Sequence, residues 1–332
     1  MVALLALALF VSPQTSATTR FASPITVRVL VLNFDPIIPQ EGGRRLHEVL
    51  RWNDPRKLAE GYIADLREAT RGHIRHRIVE WRDIDTFHRK ADGFTYTPES
   101  YLKAWRSRTG FHEPDTADYP GTFRDHGVLP RVDRGEIDEV WFFGAPYFGY
   151  SESAMAGPGA FYINGDVYPD VPSKRAFAIM GFSYERGVAE MLHDLCHRTE
   201  ATMSRVSGGW EADKLVSDWA RFAANFAQSN GVAACGTCHW PPNAERHYDY
   251  DNPRVVQSSA DDWLSYPRLT GALKPVSRET WGGPDYHRNY MRWWFAHLPR
   301  ASGASAEGVP NDWWRLVYRF NDYDDRGRPR KR

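Results

Sequence analysis

The sequence predicts a mixed α/β (α+β) fold, in which a central mixed sheet has flanking helices and an irregular aromatic-rich C-terminal region packs on it. Strand-like apolar runs alternate with segments of helical periodicity through the first 230 residues, which predicts the layered core. From Gly231 onward glycine, proline, tyrosine and tryptophan become frequent and regular periodicity is lost. We therefore expect an α/β core over residues 18–230 and a C-terminal region over 231–332 that is not an independent domain.

Five segments are predicted to form strands. The continuous β-branched run of 25–39 is typical of a buried central strand, and the alternating segment 74–84 of a strand with two unlike faces. Segment 136–149 predicts a third strand that ends at Gly144, and segment 175–184 predicts a further apolar strand. Segment 159–170 predicts a hairpin or an edge strand, with an Asn-Gly turn at its centre.

Four segments are predicted to be helical. Residues 54–70 and 97–108 each begin with a capping residue followed by proline, the usual start of a helix. Residues 185–206 and 208–228 each gather apolar residues on one side at helical spacing. Strands and helices alternate in this order, as in a layered α/β core.

The first 17 residues predict a secretory signal peptide. An apolar run from Val2 to Val11 precedes a proline and the small pair Ser16-Ala17, a plausible cleavage point. The run is too short to span a bilayer, and no later segment is apolar enough to do so. We therefore expect a secreted or periplasmic protein without a membrane span.

Charge and cysteine content exclude two classes of protein. The 42 basic and 42 acidic residues give no net charge, so the basic surface on which nucleic-acid binding depends is not expected. Three cysteines are too few for a fold held together by disulfides, so stability must come from the core.

Segment 185–206 carries the clearest functional signal. On a helix, Glu190, His193, His197 and Glu200 form one polar stripe, and the apolar residues gather nearly opposite. His193 and His197 are four residues apart, so their rings can converge on one ion. The pattern predicts a metal site on this helix.

The five residues from His193 to His197 have the pattern H-D-x-x-H, which resembles the H-E-x-x-H of the zincin metallohydrolases. The resemblance covers only this helix and the strand before it. It implies that His193 and His197 bind zinc and that Asp194 takes the place of the family's general-base glutamate, with Glu190 as a second candidate for activating water. Aspartate is one methylene shorter, which puts catalysis in doubt more than metal binding.

Several residues are candidates for the third metal ligand. Glu200 lies on the same stripe, three residues after the second histidine. A glutamate on a later helix, as in one branch of the zincins, would be Glu211. His239 and His247 are further candidates from the C-terminal region, and the sequence does not choose among the four.

Residues 235–239 form a C-x-x-C-H motif that allows several interpretations. The motif is typical of c-type haem attachment, in which Cys235 and Cys238 carry the haem and His239 is an axial ligand. A local disulfide or a structural zinc site are alternatives. The interpretation we favour is that His239 and Asn243 line a cleft beneath the helix that carries His193.

The loop after the third predicted strand supplies candidate substrate-binding residues. Tyr147, Tyr150, Glu152 and Asn164 lie in or beside this glycine-rich stretch, and loops after strands often build sites in α/β folds. Glycine-rich phosphate-binding motifs are missing, so nucleotide binding has no support.

Five tryptophans of the C-terminal region lie near arginines in the sequence; they are Trp263, Trp293, Trp294, Trp313 and Trp314. We expect their rings either to fill the core or to form a glycan-binding surface. Where two are adjacent, we expect one ring to face inward and one outward.

Three functions are compatible with the sequence. The first is a secreted zinc-dependent, peptidase-like hydrolase that acts on a peptide or glycan substrate. The second is a non-catalytic exported protein that binds carbohydrate or cell wall through its aromatic surface. The third is a c-type haem protein.

Overall fold

A computed structural model of the chain describes residues 20–210 and 214–330. The predicted signal peptide, residues 1–17, and the candidate ligand Glu211 lie outside the described residues. Among the helices of the described ranges, none combines the length and the apolar character needed to cross a membrane.

The described strands and helices alternate along the chain. The strands are β1 (Ile25–Phe34), β2 (Ile37–Ile38), β3 (Arg44–Arg45), β4 (Ile74–Ile84), β5 (Glu139–Gly144), β6 (Ser153–Ala156), β7 (Val167–Tyr168), β8 (Phe177–Ser183), β9 (Val256–Ser258), β10 (Lys274–Val276), β11 (Arg300–Ala304) and β12 (Pro310–Asp312). The helices are α1 (Leu46–Val49), α2 (Pro55–Ala69), α3 (Pro98–Ser107), α4 (Tyr119–Asp125), α5 (Val128–Asp133), α6 (Val188–Val206), α7 (Asp218–Phe222), α8 (Arg278–Trp281), α9 (Tyr286–His297) and α10 (Trp313–Tyr318). Short 3-10 helices cover Pro39–Glu41, Ala260–Ser265 and Phe320–Asp322.

A six-stranded sheet with the order β4-β1-β5-β8-β6-β7 forms the centre of the fold. The first four strands are parallel, and β6 runs antiparallel to β8. Every residue of β5 is buried, and β8 is buried up to its last residue, as expected for strands covered on both faces. The predicted mixed α/β fold with a mixed central sheet is confirmed.

Helix α6 packs against α2, α9 and α10, and it carries the predicted polar stripe. Its apolar residues Met191, Leu192 and Leu195 are buried in the core. On the same helix the Arg198 guanidinium is also fully buried, where Nη1 donates to the Glu139 carboxylate of β5 at 2.5 Å. Nη2 donates to the carbonyl of Val317 in α10 at 2.9 Å, so one side chain ties α6 to the sheet and to the C-terminal region.

The C-terminal region shares the main hydrophobic core with the α/β layers. The side chains of Trp263, Trp294, Trp313 and Trp314 are at most 3% exposed, so they fill the core. The expectation of one inward and one outward ring is wrong for Trp313 and Trp314, which are both buried because α10 is covered on several sides. A glycan-binding surface built from these rings is therefore not present.

The predicted helix over 208–228 is wrong in extent, because only α7 is helical in the described part of this segment. Leu215 has a φ of 50°, a left-handed conformation that a regular helix cannot contain. Ser217 then caps a new helix by accepting a hydrogen bond from the amide of Ala220. In segment 159–170, β7 pairs with β6 at the edge of the sheet, which selects the edge strand over the hairpin.

We expect Arg198→Ala to lower the free energy of unfolding by about 3–5 kcal/mol, because it leaves the Glu139 carboxylate buried without its charge partner. Arg134→Ala is the matched control, since Arg134 pairs with Glu136 on the surface and such pairs contribute about 1 kcal/mol or less. Urea unfolding monitored by fluorescence measures both variants. Equal losses in the two would show that the buried pair does not hold α6 in place.

Candidate metal centre

Three histidine side chains converge where α6 meets the loop that contains the C-x-x-C-H motif. Nε2 of His193 lies 3.0 Å from Nε2 of His197 and 3.1 Å from Nε2 of His239. Cys238 joins them, and the four residues offer ligand atoms within 4.8 Å of one another. This buried His/Cys cluster has the donor atoms and the spacing to hold a metal ion such as zinc.

The spacing of the nitrogens fits a tetrahedral ion. Zinc binds imidazole nitrogen at about 2.0–2.1 Å, which separates two ligand nitrogens by about 3.3 Å. The observed separations of 3.0 and 3.1 Å would need only a small outward movement of the rings.

Aromatic donors of the C-terminal region fix the loop that supplies His239. The Tyr290 hydroxyl donates to the carbonyls of Cys235 and Thr237, at 2.9 and 2.8 Å, and the Trp294 indole donates to the carbonyl of Gly236 at 3.0 Å. Gly236 has a φ of 73°, and a Cβ there would lie 2.2 Å from the carbonyl oxygen of Trp240. Only glycine fits this tight turn, which aims the next residues at α6.

Glu200 joins the loop to the helix. Its Oε1 accepts a hydrogen bond from the amide of Cys238 at 2.7 Å, and Oε2 lies 3.1 Å from the Cys238 thiol. Oε2 is also 3.3 Å from Nδ1 of His197, the ring nitrogen that does not face His193. Glu200 is thus placed behind the ring of His197, where a carboxylate orients an imidazole and raises its basicity.

A second partner orients His193 from the opposite side. Nδ1 of His193 lies 3.1 Å from Nε2 of His287, whose Nδ1 is 3.9 Å from the Glu190 carboxylate. Tyr250 stacks on the His287 ring at a centroid distance of 4.4 Å and donates to the carbonyl of Cys238 at 2.7 Å. The sequence does not predict His287 or Tyr250, since no local spacing relates either residue to His193.

Burial sets the protonation of the histidines. It lowers the pKa of His193 to about 2, helped by the neighbouring imidazoles, and lowers the pKa of His239 to about 4. Both rings are therefore neutral, the form that a metal requires. Burial also lowers the pKa of His197, but its hydrogen bonds with Cys238 and Glu200 and the negative charge of Glu200 outweigh burial and raise the pKa to about 10. A cation at Nε2 would take the place of this proton.

The cluster forms one wall of a cleft with a volume of about 650 Å³. The predicted residues Glu152, Asn164, Glu190 and Asp194 line it, together with Tyr248 and Tyr250. Asp194 is 6% exposed, and its side chain lines the cleft. Burial and the charge of Glu152 raise the pKa of Asp194 well above its usual range, which favours its protonated form.

The other predicted binding residues are placed differently. Tyr147 and Tyr150 line a neighbouring cleft, whereas the Asn164 amide donates to the Glu152 carboxylate at 2.6 Å beside the cluster. Asn243 does not reach the cleft that it was expected to line. It is fully buried, and its amide donates to the carbonyls of Asn252 and Arg254, so it stabilises the loop instead.

The three cysteines are not bonded to one another. Cys196, Cys235 and Cys238 are buried free thiols, so the local disulfide is not formed. Burial raises the pKa of the Cys238 thiol well above its usual range, which favours the protonated form in the absence of an ion. His247 packs beside Trp240 and does not join the metal-binding group of the described residues.

No protein-family model matches the sequence, and no curated protein matches it significantly.

We expect Glu200→Gln to weaken zinc binding about 10- to 100-fold, because the neutral amide no longer supports the ring of His197. Competition with a chromophoric chelator measures the affinity. Glu245→Gln is the control, since Glu245 is exposed and lies outside the cluster. Unchanged affinity in the Glu200 variant would show that the carboxylate does not act on the ligand.

Proposed function

We propose that the chain is a zinc-dependent, peptidase-like hydrolase in which His193, His197 and His239 hold the ion. The convergence of three Nε2 atoms on one wall of an open cleft is the observation that supports this most directly. Three protein ligands with one direction left open are typical of catalytic zinc, whereas structural zinc is enclosed by four. When bound, zinc would supply Lewis acidity and a lowered pKa for water.

Cys238 supports a second candidate, a structural zinc site with four protein ligands. Its Sγ is 3.6 Å from Nε2 of His197 and belongs to the same metal-binding group. The thiol nevertheless lies closer to Nδ1, at 3.2 Å, and contacts Glu200. This position behind the ring favours three histidine ligands and an open fourth direction.

Asp194 would act as the proton donor in the reaction. Its carboxyl lines the cleft one residue after His193, and its raised pKa suits a group that gives up a proton to a leaving group. Glu190 was expected to activate water. Its carboxylate instead lies beside His287 and accepts a hydrogen bond from the amide of Gly187. It would orient the histidines rather than touch the substrate.

Two other functions have less support. A covalent haem needs two accessible thiols, whereas Cys235 and Cys238 are at most 1% exposed. A carbohydrate- or cell-wall-binding surface built from the predicted tryptophans is disfavoured because four of the five rings fill the core and the fifth, Trp293, is half-buried. The signal-peptide-like N-terminus supports secretion or a periplasmic location, where a peptide or glycan substrate would be met.

We expect the untagged protein to bind about one zinc per chain, and His193→Ala and His239→Ala to lose it, because each variant leaves too few ligands. Plasma mass spectrometry after dialysis measures the content. His112→Ala is the control, because His112 pairs with Asp92 far from the cluster. A folded wild-type chain that retains no ion after zinc loading would refute the proposal.

We expect Asp194→Asn to lower the rate of casein hydrolysis about 10²- to 10⁴-fold while zinc content is unchanged, since the amide cannot transfer the proton. Asp170→Asn, at an exposed position, serves as the control. Full activity in the Asp194 variant would exclude this residue from the chemistry.

A further inference from the structure

A small cavity of about 50 Å³ lies where the C-terminal end of α9 meets the start of β11. Its walls come from four parts of the chain: Phe21 near the N-terminus, Arg71 just after α2, positions within 263–266, and the segment 296–301. None of these residues lines the cleft beside the histidine cluster. The cavity is therefore a feature of the fold separate from the candidate metal centre.

The side chain of Arg300 is the unusual part of this wall. It is 8% exposed, and its Nη1 is buried without a hydrogen-bond partner among the described residues. The guanidinium lies over the ring of Phe21, with Cζ 5.3 Å from the ring centroid, and both residues line the cavity. A buried guanidinium without an anionic partner costs free energy, so a compensating negative charge is expected beside it.

The carboxylate whose charge acts on Arg300 already has two other partners. Asp312 is 1% exposed and lies 3.1 Å from Nε2 of His73. Its second oxygen lies 3.3 Å from Nε of Arg315. Asp312 forms no ion pair with Arg300, although it opposes the lowering of the Arg300 pKa. The protein therefore supplies only a distant countercharge to the Arg300 guanidinium.

A second guanidinium group lines the same cavity. Arg71 has no ion-pair partner within the part of the chain that the structure describes. Burial, and after it the charge of Arg71, lower the pKa of Arg300, which shows that the two like charges act on each other. Both side chains nevertheless stay protonated, because the guanidinium of arginine keeps its proton in proteins. The cavity thus has an excess of positive charge.

Other sources of negative charge do not reach Arg300. Residues 1–19 contain neither aspartate nor glutamate, so the chain that precedes this segment brings no carboxylate. The C-terminal end of α9 carries a partial negative charge of about half an elementary charge, but it leaves Nη1 without an acceptor. His297, which also lines the cavity, is bonded to Asp261 at 3.1 Å, so that carboxylate is occupied as well.

The volume of the cavity limits the size of a ligand. About 50 Å³ is several times the roughly 10–15 Å³ that one water molecule needs. It is far below the roughly 300–1,000 Å³ of pockets that hold drug-sized molecules. The walls between the two arginines are apolar and include Trp263, Leu264 and Leu298. Such a space suits a compact anion and excludes a larger organic acid.

We propose that this cavity binds one small inorganic anion, such as chloride or phosphate, between Arg300 and Arg71. The ion would give Nη1 of Arg300 an acceptor and offset the repulsion between the two guanidinium groups. It would also fasten the N-terminal segment to β11, because Phe21 pairs with Ala301 and the amide of Ala22 donates to the carbonyl of Arg300 at 3.0 Å. This site does not depend on the proposed hydrolase function.

Thermal unfolding of the full chain in sodium chloride, sodium phosphate and sodium sulfate tests the inference. Sodium gluconate at the same ionic strength is the reference, because gluconate is too large for the cavity. At least one of the three salts is expected to raise the melting temperature by about 2 °C or more over gluconate, with a saturating dependence on concentration. The effective salt identifies the ion as a halide or a tetrahedral oxyanion. Melting temperatures equal to that in gluconate in all three salts would overturn the proposal.

Arg300→Met separates binding at this site from general effects of salt. The variant is expected to lose the rise in melting temperature and to melt no lower than the wild type in gluconate, since it removes a buried charge that lacks a partner. Arg134→Met is the matched control, because Arg134 pairs with Glu136 on the surface, and it is expected to keep the rise. An Arg300 variant destabilised to the same extent in gluconate and in the effective salt would refute the assignment of the anion to this cavity.

His239→Ala distinguishes the cavity from the metal centre, since phosphate can also bind zinc. This variant is expected to lose zinc and to keep the rise in melting temperature, because His239 does not line the cavity. A rise that disappears in the His239 variant would place the anion at the metal centre and contradict the inference. A rise that persists in a chain that never retains zinc would support the anion site while the hydrolase proposal fails.

Discussion

The contact between the Glu200 carboxylate and Cys238 is the interaction on which the site depends. One oxygen accepts from the Cys238 amide and the other contacts its thiol, so a helix side chain holds a loop that is 38 residues distant in sequence. The same carboxylate lies against Nδ1 of His197. One carboxylate therefore both contacts the loop that carries His239 and orients the ring of His197. Loss of this contact would remove the direct hydrogen bond between α6 and that loop.

The aromatic C-terminal region allows the imidazole cluster to be buried, because it supplies hydrogen-bond donors to the adjacent loop. Loop carbonyls that would otherwise be buried without partners accept hydrogen bonds from Tyr250, Tyr290 and Trp294. Since a buried carbonyl without a partner costs free energy, these donors allow the loop to lie deep against α6. Burial lowers the pKa of His193 and of His239, which keeps both imidazoles neutral. Burial in the core therefore keeps these two imidazoles in the neutral form that can bind a cation.

Much of the fold and half of the cluster could be predicted from the sequence, and the reasons are local. Helical periodicity placed His193 and His197 on one stripe, and the apolar runs predicted β1, β5 and β8. His239 was one of four candidates for the third ligand, but the sequence could not choose among them. The places of Cys238 and His287 around that stripe could not be predicted, since they depend on contacts between segments about 40 and 94 positions apart. The predicted helix over 208–228 was wrong in extent, because apolar spacing does not reveal a residue with a left-handed backbone conformation such as Leu215. The position of Asn243 was equally hidden from the sequence, because a polar side chain near a site can donate hydrogen bonds to the backbone of its own loop.

X-ray absorption spectroscopy of the zinc-loaded chain tests the central claim most directly, because it counts nitrogen and sulfur ligands separately. Three histidine ligands with an open fourth direction predict imidazole nitrogens at about 2.0–2.1 Å and no sulfur in the coordination shell. A sulfur at about 2.3 Å would place Cys238 in the shell and indicate a closed structural site. A spectrum without imidazole scattering would contradict the metal centre itself.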